Sequence, residues 1–190
     1  MILDDSNPKV KTWKTVYDWC KKYVKVFSNA VDVGCREGGF ARELENDFSH
    51  IYCFDFRNKK NYFSQNVKDM SKFTYTVCGL GAKNGTTSTS NQRVGRIKDW
   101  GPIQVPIRTL DSFEYSDIGF IKIDVEGYEY KVLLGAKNTI DKFKPVLLVE
   151  QNRGNLDAVE LLKSWNYSCV GVDKIQNHDY LMVPNESSQN

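Results

Sequence analysis

Short apolar runs alternate with amphipathic segments along this sequence, and this alternation restricts the fold more than any other feature. The runs cover residues 30–33, 51–54, 73–77, 120–123 and 146–149. Strands of this kind, separated by helices, predict a parallel sheet with both faces covered. Two last runs, 167–172 and 179–183, are joined by a polar turn and predict an antiparallel hairpin. The expected fold is α/β, with a doubly wound, mostly parallel seven-stranded sheet that ends in a C-terminal antiparallel hairpin.

The remaining segments predict helices and one long loop. Apolar residues at steps of three and four indicate helices over 9–27, 40–48 and 57–67, and further helices over 130–136 and 156–165. The stretch 83–103 is rich in Gly, Ser, Thr and Asn and indicates a loop insertion, with an extra strand at 104–107 as an option. The length of 190 residues predicts a single domain, here 1–184, followed by a disordered tail at 185–190.

Composition argues against several classes of protein. The 26 basic and 24 acidic side chains are nearly balanced, which disfavours a protein that binds nucleic acid through bulk charge. The five cysteines are scattered and form no C-x-x-C pair, so we expect a reducing, cytoplasmic compartment and no disulfide framework or zinc site. No apolar run approaches the ~20 residues of a membrane span, and the acidic start is unlike a signal peptide.

The chemistry is expected at the carboxyl ends of the strands, where open parallel sheets bind their ligands. Four of the first five strands end in acid there. The residues brought to this edge are Asp32, Gly34, Glu37 and Gly38, then Asp55, then Cys78 and Gly79, then Asp124 and Glu126, and finally Glu150, Gln151, Asn152 and Arg153. Like charges gathered at one edge cost free energy unless cations or hydroxyl groups offset them.

The glycines at 34 and 38 allow a ligand to approach the backbone closely after the first strand. The spacing is not G-x-G-x-x-G, because Arg36 stands at the third position. Asp32 suits a ligand with an amine, and Asp55 can accept hydrogen bonds from ribose hydroxyls. Ribose with an ammonium and no phosphate describes S-adenosylmethionine (SAM). The alternative is that the glycines only shape a turn and Asp55 caps a helix.

Two segments also resemble a known family. DVGCREGG (32–39) looks like the first motif of SAM-dependent methyltransferases, and 108–150, with its K-I-D-V-E-G-x-E run, is similar to the signature of FkbM-type methyltransferases. The resemblance implies the Rossmann-like class I methyltransferase fold, SAM as donor, S-adenosylhomocysteine (SAH) as product, and a sugar, glycan or other small-molecule hydroxyl as acceptor. Two departures are the Arg36-Glu37 pair and the loop 83–103, which has no strong family pattern.

The resemblance also implies roles for single positions. Gly34 and its neighbours Cys35, Glu37 and Gly38 would line the methionine moiety. Asp55 and Phe56 would hold the ribose, Cys78 and Gly79 would flank the adenine, and Asp124 would lie nearest the reacting methyl. Apart from the resemblance, Glu126 begins the turn into the next helix and could cap that helix, accept a hydrogen bond from the SAM amine or ligate a metal.

A hydroxyl acceptor must lose a proton, so the site needs a base or a metal. Asp124 is the first candidate base and Glu150 the second, ahead of His50 and His178. Lys122 lies inside a strand on the face of Asp124, so we expect it to be buried in a structural ion pair or to orient Asp124. Asp124, Glu150 and Asn152 could bind magnesium or calcium, but nothing in their spacing demands it.

The acceptor side is less defined by the sequence. Arg93, Arg96, Lys98 and Trp100 could grip an anionic or sugar-like acceptor, or could simply face water. Three other functions stay open: a non-catalytic module with a SAM-binding fold, a nicotinamide-dependent oxidoreductase, and a nucleic-acid methyltransferase. The carboxylates at 124 and 150 argue against the first, the missing G-x-G-x-x-G and second substrate domain argue against the second, and the near-neutral charge disfavours the third.

Overall fold

A computed structural model of the chain describes residues 2–4, 6–89, 101–151, 154–173 and 178–186. Its strands are β1 (Asn29–Val33), β2 (His50–Asp55), β3 (Phe73–Val77), β4 (Gly79–Leu80), β5 (Gly85–Thr89), β6 (Ile103–Arg108), β7 (Phe120–Ile123), β8 (Val146–Glu150), β9 (Tyr167–Val172) and β10 (Asp179–Pro184). Seven of them form one sheet in the order β3-β2-β1-β7-β8-β10-β9. The four pairings from β3 to β8 are parallel, whereas β10 is antiparallel to both β8 and β9. The predicted α/β fold with its antiparallel hairpin is therefore confirmed.

The helices lie on both faces of this sheet. They are α1 (Pro8–Cys20), α2 (Ala41–Leu44), α3 (Lys60–Asn66), α4 (Glu129–Leu134), α5 (Lys137–Phe143) and α6 (Asp157–Ser164). One apolar core includes residues of α4, α5 and α6 and packs on the face of Val31 and Val33. A second core includes residues of α1, α2 and α3 and packs on the face of Ala30 and Cys53. Every residue of β1 is buried, because helices cover the sheet on both sides.

The first helix is shorter than the predicted 9–27. The Asn7 side chain caps its start by accepting from the Lys9 backbone N–H, and α1 ends at Cys20 with one 3₁₀ turn after it. Val24 is then extended, with φ −75° and ψ 126°, as the chain turns toward β1. Val24 is nevertheless buried in the core, so its apolar character continued the helical period although the helix had ended.

The predicted helix 40–48 is also wrong in extent, since α2 covers only Ala41–Leu44. Phe48 is fully buried in the same core, which explains its place in the apolar pattern. The predicted helix 57–67 shortens less and becomes α3.

The predicted loop 83–103 contains a strand that the sequence did not indicate. Strand β5 pairs antiparallel with β6, and β4 pairs parallel with β6, to form a second, three-stranded sheet. The threonines of β5 favour extended structure, but the strand is mostly exposed and so lacks an apolar alternation. The optional strand at 104–107 is confirmed within β6. Residues 90–100 lie outside the described part of the chain.

The chain after β10 is bonded to the fold where the sequence predicted a disordered tail. The Asn185 backbone N–H donates to the Asn166 carbonyl at 2.9 Å, and its side chain contacts Ser168 and Asn166. Residues 187–190 lie outside the described residues. Among the helices that the structure describes, none has the length and apolar character required to cross a bilayer.

Candidate active site

A cleft of about 330 Å³ opens at the carboxyl edge of β1, β7 and β8. We call it the acidic cleft. The sequence-predicted residues that line it are Asp32, Gly34, Cys35, Glu37, Lys122, Asp124, Glu126 and Glu150. Helix α1 forms another wall through Trp13, whose ring lies against Gly39, whereas Tyr17 is a core residue. The structure therefore brings together side chains from four separated parts of the sequence.

A second, much smaller cavity of about 20 Å³ lies beside the acidic cleft. We call it the small cavity. It is lined by the remaining predicted positions Asp55, Phe56, Cys78 and Gly79. Gly34, Arg36 and Asp124 border both spaces, so they form the partition between them. Gly38 lines neither space; it lies in the turn with φ +86°, where a Cβ would come 2.9 Å from the Phe63 ring.

Gly34 is required by the close approach of two turns. Its φ is +83°, and a Cβ there would lie 1.9 Å from the carbonyl oxygen of Asp124. Its backbone N–H donates to the Phe54 carbonyl at 2.8 Å. The turns after β1 and β7 are therefore in contact, and this contact sets the shape of the partition.

Lys122 is buried between two carboxylates, as the sequence predicted. Its Nζ donates to Asp124 Oδ2 at 3.1 Å and lies 3.5 Å from Asp32 Oδ1. Burial acts to lower the pKa of Lys122, but Asp124 and Asp32 outweigh it, so the pKa is raised and the ammonium stays charged. Burial raises the pKa of the fully enclosed Asp32, against the opposing effect of Lys122.

Asp124 and Glu150 end neighbouring strands and act as an unequal pair of acids. Burial acts to raise the pKa of Asp124, but Lys122, a hydrogen bond with Glu150 and Arg36 together bring it below its usual range. The pKa of Glu150 is raised, first by burial and then by the contact with Asp124. Two adjacent carboxylates cannot both ionise cheaply, so Glu150 is the member of the pair that holds the proton.

His178 and Asp179 reach the cleft although the predicted site did not include them. His178 Nε2 lies 3.2 Å from Glu150 Oε1, and the Gln151 backbone N–H donates to the His178 carbonyl at 2.7 Å. Burial is the main cause that raises the pKa of Asp179 to about 6. The sequence predicted an antiparallel hairpin but not that β10 lies directly beside β8, where its first residues reach the edge at which the parallel strands end. His50 lies at the other end of β2 and contacts Thr74.

An ion pair joins the two turns that meet at Gly34. Arg36 Nη2 donates to Glu126 Oε1, and the Arg36 backbone N–H donates to Asp55 Oδ2 at 3.0 Å. Arg36 and Glu126 both have positive φ, +48° and +60°. Such conformations are uncommon outside glycine and persist only where the surrounding structure holds them.

A family model described as "Methyltransferase FkbM domain" matches residues 14–180, which is most of the chain. The chain belongs to the FkbM methyltransferase domain family. The predicted family is therefore confirmed, and with it the class I methyltransferase fold. A search among curated proteins found no match.

Solved structures support the same fold for this FkbM domain. The methyltransferase FkbM from Methylobacillus flagellatus KT superposes with a TM-score of 0.60 at 17% identity, over 95% of this chain and 55% of that chain. The chain thus spans about half the length of that relative. N-methyltransferase NodS from Bradyrhizobium japonicum WM9 superposes with a TM-score of 0.59 at 15% identity, over 96% of this chain and 100% of that chain. SMU.1697c from Streptococcus mutans, a putative methyltransferase in complex with SAH, superposes with a TM-score of 0.54 at 12% identity. The match covers 89% of this chain and 94% of that chain.

In this FkbM domain the side chain of Asp55 is fully engaged. It accepts from the Arg57 backbone N–H at 2.8 Å and from Arg57 Nε and Nη2 at 3.0 Å each, in addition to the Arg36 backbone. The Arg57 guanidinium also lies 5.3 Å from the centre of the Phe56 ring. A ribose at this position would have to share the carboxylate with Arg57.

Three carboxylates of the FkbM domain could hold a metal ion. Asp124, Glu126 and Glu150 each offer an oxygen, and these oxygens lie within 4.8 Å of one another. The sequence predicted Asn152 as the third ligand beside Asp124 and Glu150, whereas the cluster in the structure contains Glu126. Asn152 lies outside the described residues. Arg36, Lys122 and His178 already bring positive or proton-donating groups to this cluster. The predicted acceptor-side residues Arg93, Arg96, Lys98 and Trp100 also lie outside the described part of the chain, as does Arg153.

Proposed function

We propose that this protein is a SAM-dependent methyltransferase that transfers the methyl group to a hydroxyl oxygen of a sugar, glycan or other small-molecule acceptor. The observation that carries the proposal is the unequal carboxylate pair of Asp124 and Glu150 beside the Gly34 turn. Family membership supports the methyltransferase activity, and similar solved structures with bound SAM or SAH support the choice of cofactor.

The acidic cleft has the polar groups that the charges of SAM require. Neither carboxylate oxygen of Asp32 has a hydrogen-bond partner among the described residues, and the same holds for Asp124 Oδ1. Buried polar atoms in this state favour a ligand that brings donors or positive charge. SAM carries both an ammonium and a sulfonium, and when bound it supplies a methyl group that an oxygen nucleophile can attack. Asp32, Gly34, Cys35, Glu37 and Glu126 would hold its methionine moiety, and the residues of the small cavity its nucleoside.

The proton of the acceptor hydroxyl leaves to a carboxylate in this proposal. Asp124 is the ionised member of the pair and can accept this proton, whereas Glu150 already holds a proton and must pass it on before it can act as a base. Asp124 stays ionised beside Lys122 and would orient the hydroxyl by accepting its hydrogen bond. His178, 3.2 Å from Glu150, can relay the proton toward solvent. Orientation of this kind can supply roughly 7–11 kcal/mol of barrier lowering.

Calorimetric titration of the purified protein with SAH, and separately with NADH, tests the cofactor. Micromolar binding of SAH without binding of NADH is the expected result. Methyl transfer from radiolabelled SAM to a panel of hydroxylated sugars, with matched amino sugars as the second arm, then tests the acceptor. A folded protein that binds no SAH would contradict the proposed activity and favour a non-catalytic module, and transfer to the amino sugars alone would replace O-methylation with N-methylation.

A further inference from the structure

The ion pair of Arg36 and Glu126 stands at the centre of the proposed cofactor site, and the family resemblance does not account for it. Arg36 occupies a position where the first motif of the family more usually has a small or polar residue. Four non-glycine residues have positive φ in the described part of the chain, and this pair supplies two of them. Backbone conformations of this kind are strained, and they concentrate where ligands bind.

The charges of the acidic cleft are very uneven. Among the described residues, six carboxylates line it, those of Asp32, Glu37, Asp124, Glu126, Glu150 and Asp179. The cations among the same described lining residues are Lys9, Arg36 and Lys122. Lys122 lies buried between Asp32 and Asp124 and has no room for a further anion. Among the described side chains, Arg36 and Lys9 are therefore the cations that remain for an anionic group that enters this cleft.

Arg36 is the better placed of these two cations. It borders both the acidic cleft and the small cavity, as only Gly34 and Asp124 do besides it. Its side chain is 42% exposed, so a ligand can reach the guanidinium. Lys9 lies on the first turn of α1 and, of the two spaces, borders the acidic cleft but not the small cavity.

We propose that Arg36 binds the carboxylate of the cofactor's methionine moiety while Glu126 binds its ammonium, so that the protein ion pair opens to accept a zwitterion of complementary charge. The inference rests on the proposed use of SAM. A guanidinium can hold a carboxylate through two parallel hydrogen bonds. The opened pair keeps both of its charges compensated, because each protein charge exchanges one partner for another. The two strained residues are thereby binding residues rather than parts of a structural clamp.

Three ligands distinguish the contribution of the carboxylate from that of the ammonium, and their binding can be measured without a methyl acceptor. SAH carries both charges, S-adenosyl-3-thiopropylamine lacks only the carboxylate, and 5′-methylthioadenosine lacks both. Calorimetry of wild type and Arg36→Gln with all three is the experiment. Arg36→Gln is expected to weaken SAH binding by about 10- to 100-fold, the range for a charge-assisted hydrogen bond. It should leave the affinities for the other two ligands equal or higher.

Glu126→Gln tests the other half of the pair. It is expected to weaken the binding of S-adenosyl-3-thiopropylamine by about tenfold and to leave the affinity for 5′-methylthioadenosine within about twofold of wild type. Lys9→Gln is the matched comparison, since it removes the other cation of the cleft, and SAH affinity should change by less than about threefold. Arg36→Lys keeps the charge and should retain part of the preference for SAH, which keeps the test usable if the glutamine variant is unstable.

The outcomes are distinct. If wild type binds no SAH, the proposed function fails and this inference fails with it. If wild type binds SAH but Arg36→Gln weakens all three ligands equally, Arg36 only shapes the partition and the inference alone is overturned. If Lys9→Gln loses the preference for SAH over S-adenosyl-3-thiopropylamine and Arg36→Gln keeps it, Lys9 binds the carboxylate. That result would also overturn the inference.

Discussion

The acidic cleft and the small cavity share a partition but differ in how their polar groups are satisfied. In the acidic cleft, both oxygens of Asp32 and one of Asp124 lack hydrogen-bond partners among the residues described, and Glu150 and Asp179 have raised pKa values. In the small cavity, Asp55 accepts four hydrogen bonds, and the other walls are largely apolar. The acidic cleft keeps three carboxylate oxygens without a hydrogen-bond partner among the described residues, whereas the carboxylate of the small cavity is fully hydrogen-bonded within the protein.

This difference indicates how the two spaces would take a ligand. The acidic cleft has buried carboxylate oxygens without hydrogen-bond partners among the described residues, so it can gain free energy from an incoming cation. The small cavity has room for about one water molecule and must open before a nucleoside could enter. Binding there would require Arg57 to yield part of the Asp55 carboxylate.

Changing the partition itself should have the largest effect. Gly34→Ala places a Cβ against the Asp124 carbonyl at a position with φ +83°, so we expect a loss of about 3–5 kcal/mol in the free energy of unfolding. Gly127→Ala has φ +103° but open space around the Cβ, and should cost about 1–2 kcal/mol. Gly85→Ala has neither constraint and should stay within about 0.5 kcal/mol. Urea denaturation of the three variants measures the series, and equal losses would contradict the close contact of the two turns.

Asp124→Asn should affect turnover more than binding. The variant keeps the size of the side chain but removes the charge that would orient the acceptor, so we expect turnover to fall about 100-fold or more while SAH binds as before. Single-turnover assays with an acceptor from the panel, combined with calorimetry, separate the two quantities. Asp141→Asn, at an exposed ion pair with Lys137, is the control and should keep normal turnover. Unchanged turnover in Asp124→Asn would remove Asp124 from the mechanism.

Two variants test whether Asp55 holds the ribose. Asp55→Ala should weaken SAH by roughly 1.5–3 kcal/mol, the value of hydrogen bonds to a charged acceptor. Arg57→Gln removes the side chain that now occupies the Asp55 carboxylate and should bind SAH as tightly as wild type or more tightly. Calorimetry of both decides the point. An equal loss of SAH affinity in both variants would mean that the Asp55–Arg57 pair supports the turn and does not bind the nucleoside.

Removing one charge from the acidic cleft should raise stability by a small amount. The folded-state pKa of Asp179 is about 6, above its usual 3.8, so folding favours the protonated form. This contribution is present at pH 4 and is lost as the pH rises through about 6. Asp179→Asn should therefore add about 1–2 kcal/mol to the free energy of unfolding at pH 8 and almost nothing at pH 4. Denaturant titrations at the two pH values would contradict the raised pKa if the gain were the same at both.

The sequence predicted the part of the site that depends on strand ends. Asp32, Asp55, Asp124 and Glu150 follow apolar runs, and parallel order alone brings such residues to one edge. The burial of Lys122 followed from its position inside a strand, and the structure confirms it. Pattern and parallel order were sufficient for these residues because each lies on an element with a clear period.

The sequence could not predict contacts that depend on chain direction or on irregular turns. His178 and Asp179 begin a strand, and their place in the cleft required knowing that β10 runs antiparallel beside β8. The side chain of Arg57 folds back onto Asp55 two residues earlier, a contact without a periodic signal. Strand β5 lies at the edge of a small, half-exposed sheet, so its polar composition resembled a loop.

The strand order also determines the order in which the parts of the acidic cleft can form during synthesis. Strand β10, the last along the chain, pairs between β8 and β9 and is an inner strand of the finished sheet. During synthesis on the ribosome, where the N-terminal part emerges first, β1, β2, β7 and β8 can pair before β10 exists. The Gly34 turn and its contact with Asp124 then form early, whereas Glu150 meets His178 only after the hairpin has left the exit tunnel. A nascent chain would thus acquire the partition of its site before it acquires the group that completes the proton path.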